Sequence, residues 1–267
     1  MNSVVCAQFR QLHRTGTFVM PNPYDVGSAR LLANLGFPAL ATTSAGHAGT
    51  LGRADMAVSR DELVAHVHDI TTAIRVPLNV DSERCFADEV DGIAETVALL
   101  AAAGAAGCSI EDWNPMTSSI DPIATSIQRV AAAAQAADAA GMVLTARCEH
   151  HIRGVDDFEA TMTRLLEYRD AGAHVLYAPG LAHLEQISRV VDKTGLAINV
   201  LLLPGGPSVG QLADVGVRRV SLGSSLANIA MGAMVRAAQR LLEPGTLGAD
   251  EPFLSRDMAK SAFLQPT

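Results

Sequence analysis

Pro77-Leu78-Asn79-Val80-Asp81-Ser82-Glu83 reads as a short strand that stays uncharged until its end and then meets ionised residues. The design recurs twice downstream: Gly107–Ile110 ends in Glu111-Asp112, and Val143–Ala146 ends in Arg147-Cys148-Glu149. Outward from these, the chain alternates short β-prone runs with longer Ala/Leu-rich segments of helical period. The strand runs are Phe18–Met20, Ala39–Thr42, Leu78–Val80, Gly107–Ile110, Val143–Ala146, Val175–Tyr177, Ile198–Leu202 and Val220–Leu222. Helices are predicted at Val26–Leu35, Arg60–Ile74, Glu89–Ala103, Pro122–Ala140, Val155–Ala171, His183–Thr194, Ser208–Val215 and Ser225–Leu242. Glycines at Gly36, Gly104, Gly141, Gly172, Gly195 and Gly216 mark helix ends, because glycine accepts the left-handed conformation that stops a helix. Eight such cycles in 267 residues, against about 250 for one barrel, predict a single α/β domain of (β/α)8 TIM type. It would span 1–267, with 243–267 as a tail that packs on a partner or is partly disordered. An open dinucleotide-binding sheet lacks its fingerprint, since Pro21-Asn22-Pro23-Tyr24-Asp25 follows the first strand in place of G-x-G-x-x-G.

The 28 acidic and 20 basic residues, with net charge −8, leave no basic footprint for nucleic acid or an anionic membrane. A small soluble partner is expected instead. Met1–Arg14 has no apolar core flanked by basic residues and no stretch is apolar enough to span a bilayer, so a cytoplasmic location is expected. Cys6, Cys85, Cys108 and Cys148 lack paired spacing and are expected to be free thiols.

In a barrel the C-terminal ends of all strands meet at one face, so Asp81, Glu83, Glu111 and Arg147 are expected around one mouth. Asp81 and Glu83 would alternate on a strand and point the same way. Carboxylate oxygens suit Mg2+, and Mn2+ accepts them too. Zinc is disfavoured, because His66 and His68 sit in a helical segment and are expected to be solvated. His150-His151 could face the site or belong to a loop. Taken singly, each acid could instead cap a helix, and Arg147 could form a structural salt bridge to Glu111 or Glu149. Lys193 and Lys260 are the only lysines and neither follows a strand, which removes Schiff-base catalysis. Metal-assisted enolate chemistry remains, with Arg147 clamping a substrate carboxylate.

Pro21–Arg30, Thr42-Thr43-Ser44-Ala45-Gly46, Leu51–Asp55, Asp81-Ser82-Glu83, Ile110-Glu111-Asp112 and Ala146-Arg147 together resemble the isocitrate lyase/phosphoenolpyruvate mutase superfamily. The likeness continues in order through Tyr177–Leu181, Asn199–Leu201 and Gly216–Gly223. It implies an (α/β)8 barrel, often with its last helix exchanged between subunits of a homodimer or homotetramer. It also implies a magnesium site at Asp81, Glu83 and Glu111, with Asp55 reaching the metal through water and Arg147 holding the substrate's carboxylate or phosphonate. Arg147, Asp55 and Glu111 would carry the catalysis. Thr43, Ser44, Ala45 and Gly46 would grip the other end of a 2-oxo acid, and Tyr24 and Asp25 would line the mouth.

The departures bear on chemistry. Lyases of isocitrate and methylisocitrate carry Lys-Lys-Cys-Gly-His after the fourth-strand acid, where this chain has Trp113-Asn114-Pro115-Met116-Thr117-Ser118-Ser119. The family's Gly-Tyr-Gly after the third-strand acids is replaced by Arg84-Cys85-Phe86-Ala87. Arg84 could read an extra acidic group, and Cys85 could supply a proton or be an inert replacement. The expected activity is Mg-dependent C–C cleavage of a small 2-oxo or 2-hydroxy carboxylate through an enolate. Phosphonopyruvate-type or carboxyphosphonoenolpyruvate-type P–C chemistry is the alternative, and a non-catalytic binder of an acid metabolite is a third reading.

Overall fold

The computed structural model describes residues 2–242, 245–248 and 251–264. Helix α1 (Asn2–Leu12) precedes β1 (Phe18–Met20), α2 (Val26–Asn34), β2 (Leu40–Ala41), α3 (Ser44–Thr50), α4 (Arg60–Ala73), β3 (Leu78–Asp81), α5 (Val90–Ala102) and β4 (Gly107–Glu111). A hairpin of β5 (Trp113–Asn114) and β6 (Ser119–Ile120) leads into α6 (Ile123–Ala140) and β7 (Val143–Arg147). After a 3-10 turn at His151–Arg153 come α7 (Phe158–Asp170), β8 (Val175–Tyr177), α8 (Leu184–Thr194), β9 (Ala197–Leu201), α9 (Val209–Asp214), β10 (Arg219–Ser221), α10 (Ser225–Leu242) and α11 (Arg256–Phe263).

Eight strands pair in parallel in the order β1-β10-β9-β8-β7-β4-β3-β2. The Ala41 N–H donates to the Pro21 carbonyl at 3.1 Å and draws the two end strands together, so the fold is the nearly closed (β/α)8 barrel that the eight cycles predicted. Each helix-ending glycine named above holds φ between 66° and 100°, so local chemistry stops those helices where the sequence indicates. Val80, Cys108, Ile110, Leu144, Ala146, Leu176, Ile198 and Val220 point outward from the strands and are buried against the helices, where the core lies.

Tertiary contacts add what periodicity did not show. Helix α1 closes the N-terminal end of the barrel: Cys6 Sγ donates to Ala105 O, and Phe9 packs edge-on against His13. A Cβ on Gly107 would stand 2.7 Å from Phe9 Cε1 and from Val143 O, so this close approach requires glycine. Ser261 Oγ donates to Asn34 Oδ1 at 2.8 Å, which docks α11 on α2. Residues 243, 244, 249, 250 and 265–267 of that tail lie outside the described residues. By contrast, α10 touches α3 and leaves Ile229, Met234, Val235, Leu241 and Leu242 exposed. All four cysteines are buried thiols. No helix among the described residues is long and apolar enough to cross a membrane.

Candidate active site

Glu111 and Arg147 are register partners at the C-terminal ends of β4 and β7, while Asp81 ends β3 on the other side of β4. Alternation turns all three inward, and the guanidinium of Arg147 joins them. Its Nη1 donates to Asp81 Oδ1 at 2.6 Å, and Nη2 lies 3.2 Å from Glu111 Oε2. Glu149 Oε1 receives both Nε (3.1 Å) and Nη2 (2.8 Å), which fixes the guanidinium plane. Burial opposes the charge on Arg147, yet Glu149, Glu111 and Asp81 outweigh it and raise its pKa well above the usual value. The salt-bridge alternative for Arg147 is therefore realised with Glu149 and Glu111, and Asp81 joins them.

Asp81 is held by further donors. Its second oxygen accepts from the Ser44 N–H at 3.1 Å, and its own N–H donates to Thr42 Oγ1 at 2.8 Å. Glu83 departs from the expected strand alternation. The strand ends at Asp81, and Glu83 takes φ 47° in the following turn, where its carbonyl accepts from the Glu111 N–H at 3.0 Å. That turn still brings the carboxyl beside Asp81 and Asp55. Burial, then those two acids, push its pKa up to about 8 against the pull of Arg147. Burial likewise raises Glu111 well above the carboxylate range, despite Arg147.

A cavity of about 300 Å3 opens at the barrel mouth, and neither Glu83 nor Glu111 lines it. Asp55, Asp81 and Arg147 line it, as do Thr43, Ser44 and Ala45. Gly46 sits behind that wall, where a Cβ would meet Thr43 Cγ2 at 2.5 Å. Tyr24 backs the same glycine, and Asp25 caps α2 by accepting from the Ser28 N–H at 2.7 Å; neither side chain lines the cavity. Asp55 is exposed at the rim. The two lysines lie on α8 and α11, away from the cavity.

The donor set suits a hard divalent cation. It offers carboxylate oxygens only, and it includes in Glu83 a buried acid held protonated up to about 8, a proton that a bound cation would displace. As the side chains stand, no three His, Cys, Asp or Glu among the described residues converge on one point, and Arg147 lies bonded between Asp81 and Glu111. Asp81, Glu83 and Glu111 are the residues that would hold the ion.

Other expectations change with the contacts. Arg84 does not present a free charge, because Asp121 (3.0 Å) and Asp88 (2.5 Å) hold it. Cys85 is fully buried, and burial pushes its thiol up to about 11, which argues against a proton donor. His66 is buried rather than solvated and stacks on His47 with ring centroids 3.6 Å apart. His150 turns away to Thr161 Oγ1 at 3.1 Å. Sequence reasoning missed the polar barrel floor: Arg219 is buried there, donating to Asn199 Oδ1 and Thr145 Oγ1, both at 2.9 Å. Burial lowers its pKa to about 9. The available signal was an arginine immediately before the predicted strand Val220–Leu222, which in the structure begins at Arg219. Asn22 Oδ1, receiving the Leu222 and Gly223 N–H groups, was likewise hidden in a loop motif.

A family model described as phosphoenolpyruvate phosphomutase matches residues 9–242. The chain belongs to that family. It thereby falls in the isocitrate lyase/phosphoenolpyruvate mutase superfamily, whose members are lyases and mutases, and it is an enzyme of this kind. Among solved structures, a candidate lyase/mutase from Burkholderia cenocepacia J2315 superposes with TM-score 0.95 at 41% identity, covering 99% of this chain and 98% of that one. The uncharacterized protein Rv1998c of Mycobacterium tuberculosis is 30% identical over 92% of this chain and 93% of its own length. A 2-methylisocitrate lyase of Aeropyrum pernix is 27% identical over 85% of this chain and 76% of its own. Family membership agrees with the motif order read from the sequence, from Pro21 to Gly223.

Proposed function

We propose that the protein is a divalent-metal-dependent carbon–carbon lyase acting on a small 2-oxo or 2-hydroxy dicarboxylate. The observation that carries this reading is the Arg147 guanidinium at the cavity wall, set between Asp81 and Glu111 with its plane fixed by Glu149. Its donors are held by those acids in this structure, and a substrate carboxylate would take the place of Asp81 and Glu111 on Nη1 and Nη2 once those two acids turn to a cation. Asp81, Glu83 and Glu111 would hold Mg2+ or Mn2+, and Asp55 stands at the rim to orient a water toward them. The ion, when bound, supplies Lewis acidity to a carbonyl oxygen. Ser44 and Ala45 line the wall beside Asp81 and receive the other end of the substrate, while Thr43 shapes the turn by accepting from the Gly46 N–H. With no lysine at the cavity, charge left on a cleaved bond is stabilised electrostatically rather than through an imine.

The relatives named as 2-methylisocitrate lyase and oxaloacetate decarboxylase support a carboxylate substrate. The exposed apolar residues of α10 support a homodimer or homotetramer in which a second copy covers that helix. Charge and composition support a cytoplasmic enzyme without nucleic-acid or membrane partners.

The test incubates purified protein and magnesium, with and without EDTA, against oxaloacetate, substituted malates, methylisocitrate and phosphonopyruvate. EDTA-sensitive release of pyruvate or glyoxylate from a carboxylate is the expected result. Phosphate from phosphonopyruvate would move the protein to P–C chemistry. Absence of product from every substrate, with magnesium bound, would replace the lyase by a binder.

A further inference from the structure

An enolate left by a broken carbon–carbon bond needs a proton on carbon, and its donor must stand at the mouth cavity. Neither a cysteine nor a histidine lines that cavity among the described residues. The ionisable side chains that do are Asp55, Asp81, Arg147, Tyr177 and Arg219. Asp81 is bonded to Arg147, and Asp55 is exposed at the rim. Arg219 lies in the floor, donating to Asn199 and Thr145. That leaves the phenol of Tyr177.

Tyr177 ends β8 as the register partner of Arg147 on β7 and of Asn199 on β9. Alternation turns its ring inward between them. The guanidinium carbon of Arg147 stands 5.4 Å from the ring centroid, close enough for the cation to favour the ring face and any negative charge on the phenol oxygen. Ser221 on β10 hydrogen-bonds the hydroxyl and favours its ionised form, as Arg147 does. Asn199 Nδ2 donates to Ser221 Oγ at 2.9 Å, and Arg219 Nε fixes that amide by donating to Asn199 Oδ1 at 2.9 Å. One lone pair of the serine is thus occupied and its own proton can go to the phenol oxygen, which keeps the phenol proton for the cavity. Burial outweighs Arg147 and Ser221 and holds the phenol's pKa up at about 12, so the hydroxyl is protonated at neutral pH, the state a donor requires.

We propose that Tyr177 is the proton donor of the reaction, giving its phenolic proton to the enolate carbon of the departing fragment. The proposal deepens the lyase reading above and rests on it. The carbon–carbon bond breaks with its electron pair passing to the fragment that leaves as the enolate. That pair then forms a C–H bond as the Tyr177 O–H bond breaks. The phenolate left behind faces Arg147 and Ser221 and regains a proton from water. A 2-hydroxy acid returns one proton to water from its hydroxyl in the same cycle; a 2-oxo diacid that loses carbon dioxide takes up that one proton. Run backwards, the phenolate removes a proton from the carbon beside the carbonyl of a bound 2-oxo acid.

The reverse step can be read without a cleavable substrate, as deuterium entering the methyl group of pyruvate in D2O, followed by NMR with magnesium present. The parent protein should catalyse this exchange. Tyr177→Phe keeps the ring beside Arg147 and should slow exchange by about 100-fold, while pyruvate affinity by calorimetry and the circular dichroism spectrum stay at parent values. Replacing Tyr177 by difluorotyrosine, a more acidic phenol of nearly the same shape, should speed exchange at neutral pH because more of it is ionised. A ring that only packs on Arg147 would leave that rate unchanged, which overturns the proposal. So does exchange by Tyr177→Phe at the parent rate, or no exchange by the parent above magnesium and buffer alone. Exchange lost together with pyruvate binding assigns Tyr177 a structural role and overturns it as well. Exchange that depends on Tyr177, with no carboxylate cleaved, counts against the lyase reading and leaves the donor standing; cleavage undiminished in Tyr177→Phe does the reverse.

Discussion

Arg147 Nη1 donates to Asp81 Oδ1 across 2.6 Å, although β4 runs between their strands. The contact crosses β4 and sets the arginine among Asp81, Glu111 and Glu149 at the mouth. Replacing it by lysine keeps the charge and loses the planar fork. Arg147→Lys is expected to lower kcat/KM by about 100-fold, mostly through KM, because a point charge cannot hold a carboxylate bidentately. Steady-state kinetics on whichever carboxylate is turned over checks this. A KM within twofold of the parent would remove Arg147 from substrate binding.

Asp81→Asn and Glu111→Gln each keep shape and remove one hard anionic ligand. Both variants should lose magnesium binding by calorimetry and metal-dependent turnover, while circular dichroism and cooperative unfolding persist. Parent-level activity in both would sink the metal-site assignment.

Glu83 makes the metal-free protein sensitive to pH. Its folded pKa, raised to about 8 by burial and then by Asp81 and Asp55, exceeds the ordinary 4.5. The folded state therefore binds the extra proton, so the contribution is complete below about pH 4.5 and fades as pH rises through about 8. A divalent ion competes with that proton, so magnesium affinity should increase by up to about tenfold per pH unit between 6 and 8. Glu83→Gln should abolish both slopes in parallel titrations; an unaltered slope would assign the proton elsewhere.

The stacked His47–His66 pair works in the opposite sense. Burial first, then His47, lowers His66 to about 4, and both His47 ring nitrogens and His66 Nε2 are buried without partners. Asp25 and Glu62 face the pair from α2 and α4 and pull the other way, as Arg53 adds to the lowering at His47. A base with a depressed folded pKa gives stability that is present above about 6.5 and lost as pH falls through about 4. Glu83 gains stability over the same pH range, so the loss of about 3 kcal/mol is read as the difference between the parent and His66→Phe in denaturant titrations. A difference that stays constant from pH 6.5 to 4 would contradict the burial.

Asp121 holds Arg84 and Asn114 together and lies 3.8 Å from Arg129. Asp121→Ala should cost about 3 kcal/mol, because it leaves two partly buried arginines short of an acid. It should also free the hairpin, read as faster amide exchange at 113–120. Stability within 0.5 kcal/mol, roughly the scatter of ordinary surface changes, would show the tie to be dispensable.

Leu78–Asp81, Gly107–Glu111 and Val143–Arg147 stand within one residue of the runs read from sequence, and each helix-ending glycine does its work locally. Strand pattern, helix period and left-handed caps depend on residues a few positions apart, so a single sequence contains them. The barrel made the rest of the first argument: once eight parallel strands close, their charged ends must share a face, which is why Asp81, Glu111 and Arg147 were legible without coordinates. Contacts between residues far apart in the chain were not. Asp121 reaching back to Arg84, α11 folding onto α2, Phe9 facing Gly107 and Arg219 crossing the barrel floor each join positions separated by tens to hundreds of residues. So does the turn that places Glu83 off its strand and Cys85 in the core, where propensity favours neither residue. Local chemistry determined which elements form and where they stop; packing and burial decided which side chains face the cavity, which charges are already paired, and where room remains for a substrate.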